Sequence, residues 1–135
     1  MTRRALPLLL LVVVTGCGVQ SPDLFAITRR GSLPSARATF VVTDDGYVKC
    51  APKQKGRQIP DQMLLDAREL KRQAATDAQS HRRFPPRPGS LLSYALRTQD
   101  GTVTWSDVSR PLPSRYYRLA LLTRQIAMGV CGLPR

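Results

Sequence analysis

The chain has 135 residues, which suits one small domain with a short extension. Its 21 Lys and Arg against 9 Asp and Glu give a formal net charge of +12. This excess can attract anionic lipid headgroups, wall polymers or an acidic partner, although an arginine-rich coding bias is the favoured explanation. With a single histidine, His81, the composition also excludes most imidazole-based catalysis.

Residues 1–16 are typical of a secretory signal peptide. Arg3 and Arg4 form a cationic start, and the apolar run Ala5–Val14 follows them. This run is shorter than the roughly 20 residues that a helix needs to cross a bilayer. We therefore expect residues 1–16 to be removed and exclude them from the fold.

The signal peptide ends in a specific motif. Val14-Thr15-Gly16-Cys17 resembles the lipobox of bacterial lipoproteins, with an aliphatic residue, two small residues and a cysteine. The resemblance implies cleavage between Gly16 and Cys17 and a thioether to diacylglycerol at Cys17. Acyl chains such as palmitate would then hold the protein on the extracytoplasmic face of the cell membrane. The alternative is an ordinary signal peptide followed by a chance cysteine.

Two regions follow the signal peptide. Residues 17–36 read as a tether that contains a short edge strand at Leu24, Phe25 and Ile27, and residues 37–135 read as one small domain. Residues 37–50 predict a β-hairpin whose three-residue loop ends at Gly46. This loop pairs Val42 with Val48 and Phe40 with Cys50, so that Cys50 points into the core.

A polar loop over residues 51–59 precedes a predicted helix that starts at Pro60 or Asp61 and ends at Ser80. Arg68 and Arg72 fall on its solvent side. Its apolar residues recur at helical spacing and predict a buried stripe of Met63, Ala67, Leu70, Ala74 and Ala78.

Residues 91–107 predict a second hairpin. A two-residue turn at Asp100-Gly101 would set Leu96 opposite Trp105 and Thr98 opposite Val103. A last helix is expected from an N-cap at Ser114 to about Met128, with Gly129 as its stop. Its inner side is predicted to be Tyr116, Leu119, Thr123, Ile126 and Val130.

The order of elements predicts an α+β two-layer sandwich, ββαββα, in which an antiparallel sheet of two hairpins carries two helices. With Cys17 committed to lipid, Cys50 and Cys131 remain in an oxidising compartment. They predict one disulfide that closes a loop of about 80 residues, worth roughly 4 kcal/mol.

The residues that could carry chemistry are few. His81 precedes two arginines, which do not orient a base, and the only glutamate, Glu69, can pair with Arg72 on a solvated helix face. The spacing of Cys and His predicts no metal site, and we expect no catalytic residues and no cofactor. A hydrolase with a Ser–Lys pair stays open as an alternative.

The connector at residues 81–90 is the candidate binding loop. It is rich in proline and therefore extended, and it presents Arg82, Arg83, Phe84 and Arg87. A plain connector is the favoured interpretation of this loop, because most loops only connect elements, and a binding surface is the alternative. An exported domain would meet an envelope protein, anionic headgroups or a wall polymer, and nucleic acid is not expected. The sequence leaves the oligomeric state open.

With these residues identified, the chain resembles a group of uncharacterised small lipoproteins from actinobacteria, which implies a location but no activity. The carrying segments are Cys17-Gly18-Val19, Ser21-Pro22-Asp23-Leu24-Phe25, Val48-Lys49-Cys50, Ala67-Arg68-Glu69-Leu70 and Val130-Cys131-Gly132-Leu133.

A more distant likeness, carried by Cys50-Ala51-Pro52 and the order of elements, is to subtilisin-inhibitor-like domains. It implies that residues 81–90 face a protease, although the cysteines that brace the helix and loop of those inhibitors are missing here. The sequence thus favours a lipid-anchored, non-enzymatic binding module, with a protease-inhibitor-like domain as the first alternative.

Overall fold

A computed structural model describes residues 22–134, so the predicted signal peptide with Gly16 and the first part of the tether, residues 17–21 with Cys17, lie outside the described residues. The strands are β1 (Asp23–Gly31), β2 (Ala38–Thr43), β3 (Tyr47–Lys49), β4 (Gly56–Gln58), β5 (Leu92–Thr98) and β6 (Gly101–Ser106). The helices are α1 (Asp61–Gln79) and α2 (Ser114–Gln125), and α2 continues into a π-helical turn (Ile126–Val130).

The predicted α+β sandwich is confirmed. The six strands form one antiparallel sheet in the order β4-β3-β2-β1-β5-β6, and both helices cover the same face of it. Alternate strand residues point to that face, where they are buried against the helices. They include Phe25, Ile27, Phe40, Val42, Val48, Leu96, Val103 and Trp105.

The predicted position of β1 at an edge of the sheet is wrong. This strand is central, because it pairs with β2 on one side and with β5 on the other. Ile27 lies opposite both Phe40 and Leu96 and is almost fully buried. The two hairpins are joined only through β1. This strand, which was predicted to be part of the tether, therefore holds the sheet together.

The loop and the central pair of the first hairpin are confirmed, but β3 ends at Lys49, so the predicted pairing of Phe40 with Cys50 is not part of the sheet and Cys50 is only partly buried. Val42 pairs with Val48, and Gly46 has the positive φ of 90° that the end of the three-residue loop requires. The polar loop that follows contains a strand that the prediction missed. Residues of β4 are all exposed, so they carry no burial pattern, and their pairing with β3 adds an edge strand.

The second hairpin was predicted in the wrong register. Leu96 pairs with Val103 and Tyr94 with Trp105, so the turn is at Gln99-Asp100 and Gly101 already belongs to β6. A Cβ on Gly101 would overlap the carbonyl oxygen of Ala78 at the end of α1. The glycine therefore serves close packing with a helix and not the turn.

The bounds and the buried stripe of α1 are confirmed, with Met63 only partly buried.

Two details of the prediction for α2 were wrong. Pro113 is its N-cap and Ser114 its first residue, and the helical path passes Gly129 in the π-helical turn. The chain leaves that path at Gly132, whose φ is 65°.

The predicted disulfide is confirmed, with Cys50 and Cys131 joined and their Cα atoms 5.7 Å apart. It ties the end of β3 to the end of the π-helical turn. Arg57 of β4 supports the same junction, since its Nη1 donates to the carbonyl oxygen of Val130 at 2.9 Å.

Candidate functional site

The candidate binding loop is partly absorbed into the sheet. Arg82 and Phe84 exchange main-chain hydrogen bonds with Thr104 of β6, and Arg83 forms a parallel bridge with the same residue. Phe84 is only 8 % exposed, and its ring centroid lies 5.0 Å from that of Tyr116. The prediction that Phe84 offers a binding surface is therefore wrong, because the core takes up its ring.

The three arginines of this loop remain exposed, but they do not converge on one point. Arg82 lies over the Phe84 ring, 5.2 Å from its centroid, and 3.9 Å from a carboxylate oxygen of Asp77. Arg87 donates to the carbonyl oxygen of Arg110 at 3.4 Å. The exposed residues that share the loop with Arg87 are Pro85, Pro86, Pro88 and Gly89.

Both ends of this exposed segment are fastened to the turn after β6. The Ser109 hydroxyl lies 2.9 Å from the carbonyl oxygen of Phe84 and 3.0 Å from that of Pro85. At the other end, Asp107 accepts hydrogen bonds from the Ser90 hydroxyl and from the main-chain N–H of Leu91. Residues 85–89 thus form a short exposed arch with a fixed base.

A buried carboxylate joins the two helices. Asp77 of α1 is 7 % exposed and accepts hydrogen bonds from Arg115 Nη2 at 2.5 Å and from Tyr116 Oη at 2.6 Å. Burial acts to raise the pKa of Asp77, but these two hydrogen bonds and the charges of Arg115 and Arg82 outweigh it, so the pKa is lowered. For Tyr116, burial and then the hydrogen bond to Asp77 raise the pKa.

This cluster is best explained as a structural tie, since both of its hydrogen-bond donors belong to α2 and its acceptor to α1. Sequence reasoning passed over Asp77, although a signal was present. Asp77 lies three residues after Ala74 and next to Ala78, within the buried stripe of α1. A carboxylate at such a position requires buried donors from another element.

The other polar groups considered for catalysis also have structural partners. His81 is exposed beyond the end of α1 at a φ of 50°, and its Nδ1 accepts a 3.4 Å hydrogen bond from the Thr102 N–H. Glu69 pairs with Arg72, which lowers the pKa of Glu69 to about 2. The buried hydroxyls of Ser106 and Ser109 lie 3.1 Å apart, and Ser109 also accepts from the Ser106 N–H.

Two further observations hold for residues 22–134. No three His, Cys, Asp or Glu side chains come together as metal ligands would. Neither helix combines the length and the apolar character that crossing a bilayer requires.

An open groove with apolar side chains lies on the outer side of the helices. A groove of about 590 Å³ runs between the start of α1 and the end of α2, with Met63, Leu121 and Met128 among its lining residues. A second groove of about 370 Å³ lies on the other side of Leu121, between α2 and Leu92 of β5. Leu121 is 55 % exposed and separates the two grooves as a ridge.

Comparison with protein-family models, with curated proteins and with solved structures finds no match for this chain. The function therefore has to be argued from the residues themselves.

Proposed function

We propose that this protein is a lipoprotein of the cell envelope, held on the extracytoplasmic face of the membrane by acyl chains on Cys17. The observation that carries the proposal is Val14-Thr15-Gly16-Cys17, which stands directly after a cationic start and an apolar run. Two or three acyl chains bury enough CH₂ groups, at about 0.8 kcal/mol each, for a durable anchor.

The disulfide supports this location. Cys50 and Cys131 are joined in the fold, and such bonds persist in oxidising compartments outside the cytoplasm. Of the three cysteines in the sequence, Cys17 is then the one that the disulfide does not use, which agrees with its proposed modification.

The folded domain would stay close to the membrane. Because β1 begins at Asp23, residues 18–22 alone connect it to Cys17. At no more than ~3.6 Å per residue, this connection reaches roughly 20 Å from the anchored cysteine to the sheet.

We propose further that the domain is a non-enzymatic binding module for another component of the envelope. The support is that its buried polar side chains serve internal contacts. Asp77 ties the helices, and Ser109 and Asp107 fasten the exposed arch at residues 85–89. Such a fold presents fixed surfaces, which suits recognition of an envelope protein, an anionic headgroup or a wall polymer.

The anchor is tested by the intact mass of the full chain extracted from membranes, with and without reductant and alkylation. We expect residues 17–135 plus acyl chains, with two thiols that alkylate only after reduction. The Cys17→Ser variant should lose the added acyl mass and the membrane association together. An uncleaved or unacylated wild-type chain would overturn the proposal.

Binding is tested by crosslinking in intact cells, with the arch variant Arg87→Glu compared with wild type. We expect a specific crosslinked species that depends on the folded domain. If the crosslinks of the wild-type protein equal those of a lipidated protein of unrelated fold, the proposed binding role fails.

A protease-inhibitor-like role is the second candidate, and one observation favours it. The arch at residues 85–89 lacks bracing cysteines, but Ser109 and Asp107 brace it by hydrogen bonds at both ends. An inhibition assay with serine proteases tests this role. Inhibition that is lost in the Ser109→Ala variant would support it, whereas cleavage within residues 85–89 would exclude it.

A further inference from the structure

The outer face of α2 carries an apolar ridge that no other described element covers. Tyr117, Leu121 and Met128 lie at helical spacing on this face and are exposed by 44 %, 55 % and 37 %. Their neighbours on the opposite face, Tyr116 and Leu119, are fully buried. α2 is therefore apolar on two sides, although the sheet needs only one of them.

The charges on α2 itself have one sign, although Asp66 of α1 lines the groove beside the ridge. Asp107 is the last acidic residue of the sequence, and α2 itself contains none. Arg118 and Arg124 are exposed on α2, and Arg110 stacks over the Tyr117 ring at 5.4 Å from its centroid. An apolar ridge with a tyrosine and a border of arginines is the pattern of a helix that lies in the interface of an anionic membrane.

Helix α1 provides the contrast within the same layer. Its Leu65 is 55 % exposed, as Leu121 is. The charges of α1 near Leu65 balance, since the three carboxylates of Asp61, Asp66 and Glu69 are matched by Arg68, Lys71 and Arg72. An anionic surface would therefore not attract this balanced part of α1, whereas it would attract α2, whose charged side chains are all cationic. The two helices differ in charge and not in the exposure of their leucines.

The tether allows α2 to reach the membrane. A layer of helices is about 10–12 Å thick, so the outer side of α2 lies roughly 15 Å from the middle of the sheet. Residues 18–22 extend to roughly 20 Å, which is enough for the outer side of α2 to reach the bilayer that holds Cys17. Because the tether keeps the two surfaces together, a weak attraction is sufficient for docking.

We infer that the ridge of Tyr117, Leu121 and Met128, with Arg118 and Arg124, docks on the anionic phospholipid surface to which the protein is anchored. This inference rests on the proposed lipid anchor. It assigns an orientation to the domain, in which α2 faces the membrane and the opposite face of the sheet, with Arg97 and Thr104, faces outward.

The test uses the full lipidated chain in vesicles of phosphatidylcholine with phosphatidylglycerol. A polarity-sensitive fluorophore is placed at Leu121→Cys or, as the matched control, at Leu65→Cys, and the lipids carry a nitroxide quencher near the headgroups. We expect quenching at position 121 and little at position 65. The quenching at 121 should be lost at about 1 M salt, where the Debye length falls to roughly 3 Å, and in the Arg118→Gln/Arg124→Gln variant.

Flotation of the same vesicles separates the two proposals. A protein that does not float with the vesicles lacks its anchor, which overturns the proposed function. A protein that floats while the label at position 121 is quenched no more than the label at position 65 is anchored but not docked, which overturns this inference alone.

Discussion

The two ends of α2 are fixed to the rest of the molecule by different chemistry. At its start, Arg115 and Tyr116 donate hydrogen bonds to the buried carboxylate of Asp77. Beyond its end, Cys131 is bonded covalently to Cys50. A charged hydrogen-bonded cluster acts in the folded state and depends on protonation, whereas a disulfide acts largely by restricting the unfolded chain and depends on redox conditions.

The difference indicates how a small domain can hold one helix against its sheet. The covalent end does not respond to pH, and the polar end does not respond to reductant. The proposed docking ridge lies between these ends, so its position depends on both. Variants that remove either the hydrogen bonds at Asp77 or the disulfide should separate their contributions to the unfolding free energy.

The largest expected effect is at the covalent end. Because the bonded cysteines are separated by 81 residues, the Cys50→Ser/Cys131→Ser variant should lose about 4 kcal/mol of unfolding free energy. Urea denaturation of both proteins measures this loss. The Cys17→Ser variant, which keeps the disulfide, serves as the control, and a double variant with the wild-type midpoint would contradict the prediction.

The Asp77→Ala variant should have the next largest effect. It leaves Tyr116 Oη and Arg115 without their acceptor in a buried position, at a cost of about 2–3 kcal/mol. The control is Asp66→Ala on the same helix, which removes one exposed hydrogen bond from Gln62 and should change stability by less than about 0.5 kcal/mol. Equal shifts of the two urea midpoints would refute the proposed tie.

The pH dependence should distinguish the two ends directly. Since the pKa of Asp77 in the folded state lies below the ordinary value of 3.8, its stabilising effect is complete above that pH and is lost as the pH falls through the folded pKa. We expect the stability difference between wild type and Asp77→Asn to be constant from neutral pH to about pH 4 and to narrow below it. The difference in unfolding free energy between oxidised and reduced wild-type protein should stay unchanged over the acidic range. If this difference also narrowed below pH 4, the pH dependence could not be assigned to Asp77.

The smallest effect is expected for Tyr116→Phe. The ring keeps its contacts with Phe84 and Trp105, and only the hydrogen bond to Asp77 is lost, which costs about 1–1.5 kcal/mol. Tyr117→Phe is the matched control, because the Tyr117 side chain is exposed and its substitution should leave the urea midpoint unchanged. If the Tyr116→Phe variant were as stable as this control, the hydroxyl would have no part in the tie.

Local patterns were sufficient where a single element or turn determined the result. The spacing of Ala67, Leu70 and Ala74 defined the buried side of α1, because a helix repeats every 3.6 residues wherever it packs. The first hairpin was predictable because Gly46 supplies the positive φ that its loop length requires. The pairing of Cys50 with Cys131 was predicted by counting the cysteines that remained once Cys17 was assigned to the predicted lipobox.

Contacts between distant segments were decided only by the tertiary structure. The pattern of β1 shows that it is a strand but not which strands lie beside it, because the choice of neighbours is a competition among all available edges. The register of the second hairpin depends on the close approach of Gly101 to α1, which no local rule contains. Phe84 likewise becomes a core residue only when β6 supplies a partner for its main chain.

The sequence by itself therefore determined the class of fold, the faces of α1 and of the first hairpin, and the disulfide, since each depends on local periodicity, a turn or a cysteine count. The tertiary structure alone decided the central place of β1, the burial of Phe84, the tie at Asp77 and the exposed ridge of α2. Each of these features depends on which surfaces the rest of the folded chain covers and which it leaves exposed. The free energy of burial therefore depends on the complete tertiary structure and not on any single segment.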